Sequence, residues 1–370
     1  MSPERFHYLL QRYKDDILSE EEWEELRPVL QSGKYDEFIK EDIFRLVRGE
    51  IPSQRERRPL VRRILRPAAI AASLLFCILS VWLLWPAARH EKGLVRQAST
   101  TDTILPGGNK AILILANGEH IVLDSVHDGK IARQGVTTVV RSGGRIGYDA
   151  AGTDSGEVMY NTITTPKGGQ YEIVLADGSR VWLNSASSLR YPTIFRGGER
   201  EVELTGEGYF EIEKNVRMPF FVKVNTMKVQ VLGTRFNTMA YADEATVNTT
   251  LLEGSVVVKD GQQARRLIPG QQVALDGDHR MILSQADIEK TMAWKNGLFE
   301  FDRMDIAAIM RQVARWYDVE IIFEGVIDHT PLGGSISKSL GLTEVLRLLE
   351  SNGLHHFKVE GKKIYITKAK

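Results

Sequence analysis

Cysteine is almost absent: the chain of 370 residues has one, Cys77. No disulfide framework can therefore hold the fold together. Histidine is sparse as well. The eight (7, 90, 120, 127, 279, 329, 355 and 356) are scattered, with no H-x-x-x-H or Cys-His spacing that would suit a metal. His355 and His356 are adjacent, and on a predicted strand neighbours point to opposite faces, which argues against joint ligation. The G-x-S-x-G elbow, the P-loop and the dinucleotide fingerprint are all missing. TPKGGQ (165–170) has paired glycines but lacks the Lys-Ser/Thr that would make a P-loop, and it reads as a loop entering a strand. The spacing of residues gives no reason to expect an enzyme, a cofactor or a metal.

Net charge is absent too, with 48 Lys and Arg against 48 Asp and Glu, but its distribution is uneven. Residues 1–50 hold thirteen acids against eight Lys and Arg, and residues 51–66 carry six Arg against one Glu. An acidic piece suits a basic partner, and a basic juxtamembrane piece suits an anionic inner leaflet.

Long hydrophobic runs are lacking except for one. Residues 68–85, AAIAASLLFCILSVWLLW, contain no charge and lie between Pro67 and Pro86. As a helix they would reach about 27 Å, close to the roughly 30 Å of a hydrocarbon core. Trp82 and Trp85 fall at one end, where indoles favour the interface, and the arginines cluster before the other. The expectation is a transmembrane helix in the inner membrane, N-terminus cytoplasmic and C-terminus periplasmic. A signal peptide would place its apolar region nearer the N-terminus and be followed by an A-x-A site. A lipoprotein signal would need a small residue where Phe76 precedes Cys77.

Before the run, three short helices are expected. Phe6, Leu9, Leu10 and Tyr13 form a stripe at helical spacing; Trp23, Leu26 and Leu30 form another behind the capping pair Ser19 and Glu22. About fifty residues make a thin core, so these faces are candidates for docking on a partner.

After the run, 86–104 read as a connector, and the periodicity then changes from helical to two. AILILANGEHIVLDS (111–125) and YEIVLADGSRVWLNS (171–185) match at an offset of sixty, each with a hairpin dipeptide, Asn117-Gly118 and Asp177-Gly178. Further short strands with glycine turns follow to about residue 284. This pattern indicates an all-β sandwich, barrel or solenoid. Beyond Trp294 two helical stripes appear between short strands: Ile306, Ile309, Met310, Val313 and Trp316, then Leu342, Val345, Leu346 and Leu349. These make a small α+β domain.

The runs TPKGGQYEIVLADGSRVWLNSASSLRYPTIF, EVELTGEGYFEI, PFFVKV, VLGTRFN, TLLEGSVVV and PGQQ, in that order, resemble the periplasmic domain of FecR-type transmembrane anti-sigma factors. WKNGLFEFDRMDIAAIMRQVARWYDVEIIFEG and the SIS...LTEVLRLLE segment resemble the C-terminal domain of the Bacteroidetes branch, which is similar to the short N-terminal domain of secretins and TonB-dependent transducers. The resemblance implies a solenoid-like β region. The expected fold class is thus multidomain: an all-α cytoplasmic head (1–50), a basic segment (51–67), one transmembrane helix (68–85), a connector (86–104), a periplasmic solenoid-like all-β domain (105–290) and a C-terminal α+β domain (291–370).

It also implies partners. A TonB-dependent outer-membrane transducer would contact the periplasmic part, and the head would bind a cytoplasmic extracytoplasmic-function sigma factor through Phe6, Leu9, Leu10, Tyr13, Trp23, Leu26 and Leu30. Envelope proteases are further partners in this reading; direct nucleic-acid binding, cofactors, metals and enzymatic activity are not expected. Some members of the family are cut at a Gly-Thr bond in VLGTRFN, which makes Gly233 and Thr234 a candidate self-cleavage site by attack of the threonine hydroxyl on the preceding carbonyl. A glycine turn with Thr234 packed as a β-branched residue is the competing reading. A competing function is a membrane-anchored periplasmic module binding glycan or envelope components, with Trp182 and Tyr191 as aromatic platforms.

Overall fold

The computed structural model describes residues 104–135, 137–150 and 158–369, together with Arg5, Leu9 and Glu22. The chain divides into two compact units, Met1–Gly93 and Leu94–Lys370, and every described strand belongs to the second.

The expected fold class is corrected by the described residues. Strand outweighs helix, 51% against 11%. Beyond residue 103 there are three helices, of 5, 12 and 9 residues, and among the described residues no helix is long and apolar enough to cross a membrane. Apart from single helical residues at Arg5, Leu9 and Glu22, the expected head lies outside the described residues, as does the whole expected span. The expected solenoid is also replaced. Period-two alternation gives each strand one apolar face, but it leaves open whether those faces close in coils or as two facing layers. Here the ladders are mostly antiparallel and the layers face each other across one core.

One layer runs, in order of hydrogen-bonded neighbours, through His120–Val122, Ile112–Ile114, Tyr160–Thr165, Ser187–Pro192, Arg200–Glu211, Phe220–Val224, Met227–Val231, Val256–Asp260 and Gln263–Leu267. The other runs through Gly129–Gln134, Thr137–Ser142, Arg145–Ala150, Gly169–Val174, Arg180–Leu183, Arg200–Glu211 again, Arg235–Ala240, Thr246–Glu253, Gln271–Asp276 and Met281–Gln285.

The strand Arg200–Glu211 therefore belongs to both layers. Its first half pairs with Ser187–Pro192 and, in parallel, with Phe220–Val224; from Gly206 onward it pairs with Arg180–Leu183 and Arg235–Ala240. Gly206 has φ +83°, and a Cβ there would lie 2.4 Å from the Ser187 hydroxyl, so both the conformation and the space demand glycine. Parallel neighbours need a crossover connection. The half of the strand in the opposite layer supplies it. Between the layers Phe210 and Phe236 stack with centroids 4.9 Å apart, within a core that includes Val202, Val222, Leu251 and Val273.

The two matched hairpins form as the turn dipeptides predict, with Gly118 and Gly178 at φ +85° and +88°. They do not end in equivalent places. The first contributes to one layer, the second to the other.

After helix α1 (Ile288–Met292), the strand Leu298–Met304 pairs with Leu332–Ser337, and Glu320–Phe323, Lys363–Lys368 and His355–Glu360 form a three-stranded sheet. Helices α2 (Ile306–Tyr317) and α3 (Leu342–Glu350) bury the two expected stripes, Ile306, Ile309, Met310, Val313 and Trp316, and Leu342, Val345, Leu346 and Leu349. These side chains share a second core with Phe299, Phe301, Ile364 and Ile366.

Candidate functional site

Helix α2 is the element through which the C-terminal part grips the sandwich. Asp305 caps its start by accepting from the backbone N–H of Ala307 at 2.8 Å, and Asp318 ends it in the left-handed region. With the apolar stripe turned to its own core, the helix offers Arg311 and Arg315 to the turn after the strand Arg235–Ala240. Arg315 donates to both oxygens of Asp243 at 3.0 Å and to Glu244 at 2.7 Å; Arg311 donates to the other Glu244 oxygen at 2.6 Å. The Arg315 guanidinium also lies 4.0 Å from the centre of the Tyr241 ring. Burial raises the pKa of Glu244, but the hydrogen bonds from Arg311 and Arg315 outweigh it and leave the carboxyl below its ordinary value.

TPKGGQ completes the grip from the other side. The Gly168 N–H donates to the Arg315 carbonyl at 2.8 Å, and the Gly168 carbonyl accepts from Gly108 at 2.9 Å. A Cβ on Gly107 would lie 2.7 Å from both the Gly168 carbonyl and the Trp316 indole. The glycines that resemble a phosphate loop thus serve close packing against the end of a helix.

Between the sandwich and the C-terminal part lies a cavity of about 370 Å³. On its sandwich side Glu207, from the shared strand, accepts from the Asn184 amide at 2.8 Å and from the Asn237 amide at 3.0 Å; the Asn237 carbonyl accepts from the Trp294 indole at 3.2 Å. Burial raises the Glu207 pKa. The C-terminal part contributes Lys338, 4% exposed, to the lining. Its N–H donates to Gly297 and its carbonyl accepts from the Trp316 indole, both at 2.8 Å. Its ammonium sits 3.9 Å from the Trp316 ring centre, and burial pushes its pKa down to about 7. Sequence reasoning missed Glu207, Asp243, Glu244, Arg315 and Lys338. Each is an ordinary charged residue within a strand, turn or helix, and only the tertiary fold brings them together.

The candidates named from the sequence are placed as follows. Leu9 is helical and fully buried; Phe6, Leu10, Tyr13, Trp23, Leu26 and Leu30 lie outside the described residues. Gly233 is confined by Lys214, whose Cα and Cβ would each be 2.7 Å from a Cβ at that position. Thr234 is 5% exposed, its hydroxyl donating to the Ser255 carbonyl at 3.1 Å and its own carbonyl accepting from Ile212 at 3.0 Å. Tyr191 is wholly buried against Tyr148 and offers no stacking platform. Trp182 is half-buried beside Tyr209, with the Lys295 ammonium 4.4 Å from its ring centre.

Comparison with known proteins places these features in a family setting. The family model described as FecR protein matches residues 161–257, and the one described as FecR, C-terminal, matches 298–366. Both matched stretches are ones in which the sequence resembles this family, and that resemblance is borne out. Two crystal structures of a "putative anti-sigma factor" from Parabacteroides distasonis ATCC 8503, at 1.65 and 2.50 Å resolution, are similar to it at 26% identity and a TM-score of 0.53. They cover 56% and 57% of this chain and 99% and 100% of their own. No curated protein matches.

Proposed function

We propose that this chain is an anti-sigma factor that relays a signal from an outer-membrane TonB-dependent transducer to a cytoplasmic extracytoplasmic-function sigma factor. The observation that carries the reading is the pairing of a FecR domain with a FecR C-terminal domain in a chain similar in structure to proteins described as anti-sigma factors. It is a regulatory role with no reaction to catalyse.

In this reading the protein sits in the inner membrane. The uncharged run 68–85 and the arginine-rich stretch before it support that location, with the acidic N-terminal residues on the cytoplasmic side. The surplus acids of residues 1–50 speed encounter with the basic surfaces by which a sigma factor holds DNA, and the apolar stripes hold the complex. On the outer side, the sheet edges of the C-terminal part offer a partner strand unpaired backbone groups. Envelope proteases are further partners in this scheme.

The test is co-purification of the full-length chain with a co-encoded sigma factor, paired with transcription of that factor's targets. Binding together with altered transcription on deletion of residues 1–66 supports the proposal. Absence of binding, with transcription unchanged on deletion, overturns it.

A further inference from the structure

Lys338 is a nearly buried lysine whose charge is influenced by Glu207 without an ion pair between them. Among the described residues no carboxylate lies within salt-bridge distance of its ammonium and no acceptor takes its hydrogen bonds; its close neighbours are the faces of Trp316 and, at 5.7 Å, Phe299. A buried ammonium without an acceptor is costly, and a ring face replaces only part of its lost hydration. The group is nonetheless held firmly, since its backbone is fixed on both sides by Gly297 and Trp316. It lines the same 370 Å³ cavity as Glu207, a volume within the range of small-molecule sites.

The other charges around the cavity are mostly committed. Glu244 is engaged by Arg311 and Arg315. Asp287 caps helix α1, and Lys290 donates to the Asp302 carbonyl. Glu207 already accepts from two amides, leaving its remaining lone pairs for donors from within the cavity. Glu300 also lines the cavity. Lys338 can thus receive an anionic group, and the carboxylates and amides that line the same cavity can receive hydroxyls.

We propose that this cavity binds a small hydroxylated carboxylate of the sugar-acid class, its carboxylate on the Lys338 ammonium and its hydroxyls toward Glu207 and the amides beside it. Such a ligand touches the sandwich through Glu207 and the C-terminal part through Lys338, so occupancy ties the two together. A carboxylate there also favours the charged amine, so binding takes up protons near neutral pH. The site is argued from its own geometry and does not depend on the anti-sigma reading.

The test uses the full-length chain with D-glucuronate and D-gluconate as probes, and D-glucose and sodium chloride as controls. Lys338 is followed by competitive acetylation and peptide mass mapping, and the chain by thermal unfolding. The expected result is a several-fold protection of Lys338 by the two sugar acids and a rise in unfolding temperature that glucose and salt do not reproduce. Lys338→Met should abolish the rise. Glu207→Gln should retain protection of Lys338, because the amide still accepts at one position, and it keeps the test open if the first variant folds poorly. Lack of protection by either acid, or an undiminished temperature rise in Lys338→Met, overturns the proposal.

Discussion

Arg200 Nη1 donates to Asp177 Oδ2 at 2.6 Å, joining the start of the strand shared by both layers to the turn of the second hairpin. The arginine is 1% exposed and also donates to the carbonyls of Met218 and Glu213. Asp177 in turn accepts from the N–H and hydroxyl of Ser179, whose hydroxyl oxygen accepts from the Glu213 N–H. Breaking one side of a buried pair strands the other charge, at a cost of about 3–5 kcal/mol. Asp177→Ala should therefore lower stability by that order in urea unfolding, and Arg200→Met, which removes the charge but keeps volume, should cost less. A cost for Arg200→Met as large as that for Asp177→Ala would show that the charge and hydrogen bonds of Arg200, not its volume, are its contribution.

The grip of α2 should weaken with acid. The folded pKa of Glu244 is depressed, so its contribution is fully present above the unfolded value of about 4.5 and is lost as pH falls through the lower folded value. Glu244→Gln should flatten the acid limb of the stability curve below about pH 4.5 and lower neutral-pH stability by about 1–3 kcal/mol. Unfolding midpoints across pH 3 to 7 check this.

Lys338 predicts a slope of the same sign in a higher pH window. Its folded pKa, about 7, lies below its ordinary 10.5, so the unfolded chain binds more protons between those values and stability rises with pH across them. Lys338→Met should remove that rise and stabilise the ligand-free protein at pH 7, by an amount on the order of 1–3 kcal/mol. A pH series of thermal unfolding in ligand-free buffer decides it.

Self-cleavage at Gly233-Thr234 needs a mobile hydroxyl and a base to take its proton. The Thr234 hydroxyl is instead engaged by a carbonyl, and Gly233 is outside the left-handed region, so no strain of that kind is stored there. The purified chain should run at full length, and Thr234→Ala should match it in mass. A fragment ending at Gly233 in the parent, absent from Thr234→Ala, would reverse this prediction.

The proposed transducer contact can be probed without disturbing either core. Phe323 and Val326 are 40% and 83% exposed at the end of an edge strand and in the segment after it. Phe323→Glu with Val326→Glu should reduce the response to inducer several-fold while changing stability by no more than about 0.5 kcal/mol. A full response in a reporter strain moves the contact elsewhere.

Local periodicity and turn chemistry made much of this legible from sequence. Asn117-Gly118 and Asp177-Gly178 gave hairpins because only their backbone freedom suits the turn, and the stripes of α2 and α3 were readable because helical spacing lines up Ile306 to Trp316 and Leu342 to Leu349. What was not legible is long-range. Arg315 meets Asp243 and Glu244 across some seventy residues of chain, and Glu207 and Lys338 meet across one cavity; no local pattern encodes either encounter. The choice of sandwich over solenoid was hidden for the same reason. It turns on one strand changing partners at Gly206, a single glycine among the chain's 32.

That change of partners has a mechanical side. In a sandwich of separate sheets, load on one layer reaches the other only through side-chain packing, and the layers can slip. Here the covalent backbone of Arg200–Glu211 runs from one layer into the other, and its second half presents Glu207 to the cavity. A tug on the strands around Phe220–Val224 would travel along a peptide chain to that carboxylate without having to cross a sliding interface. The two layers are thus joined by continuous backbone, with Gly206 at the bend.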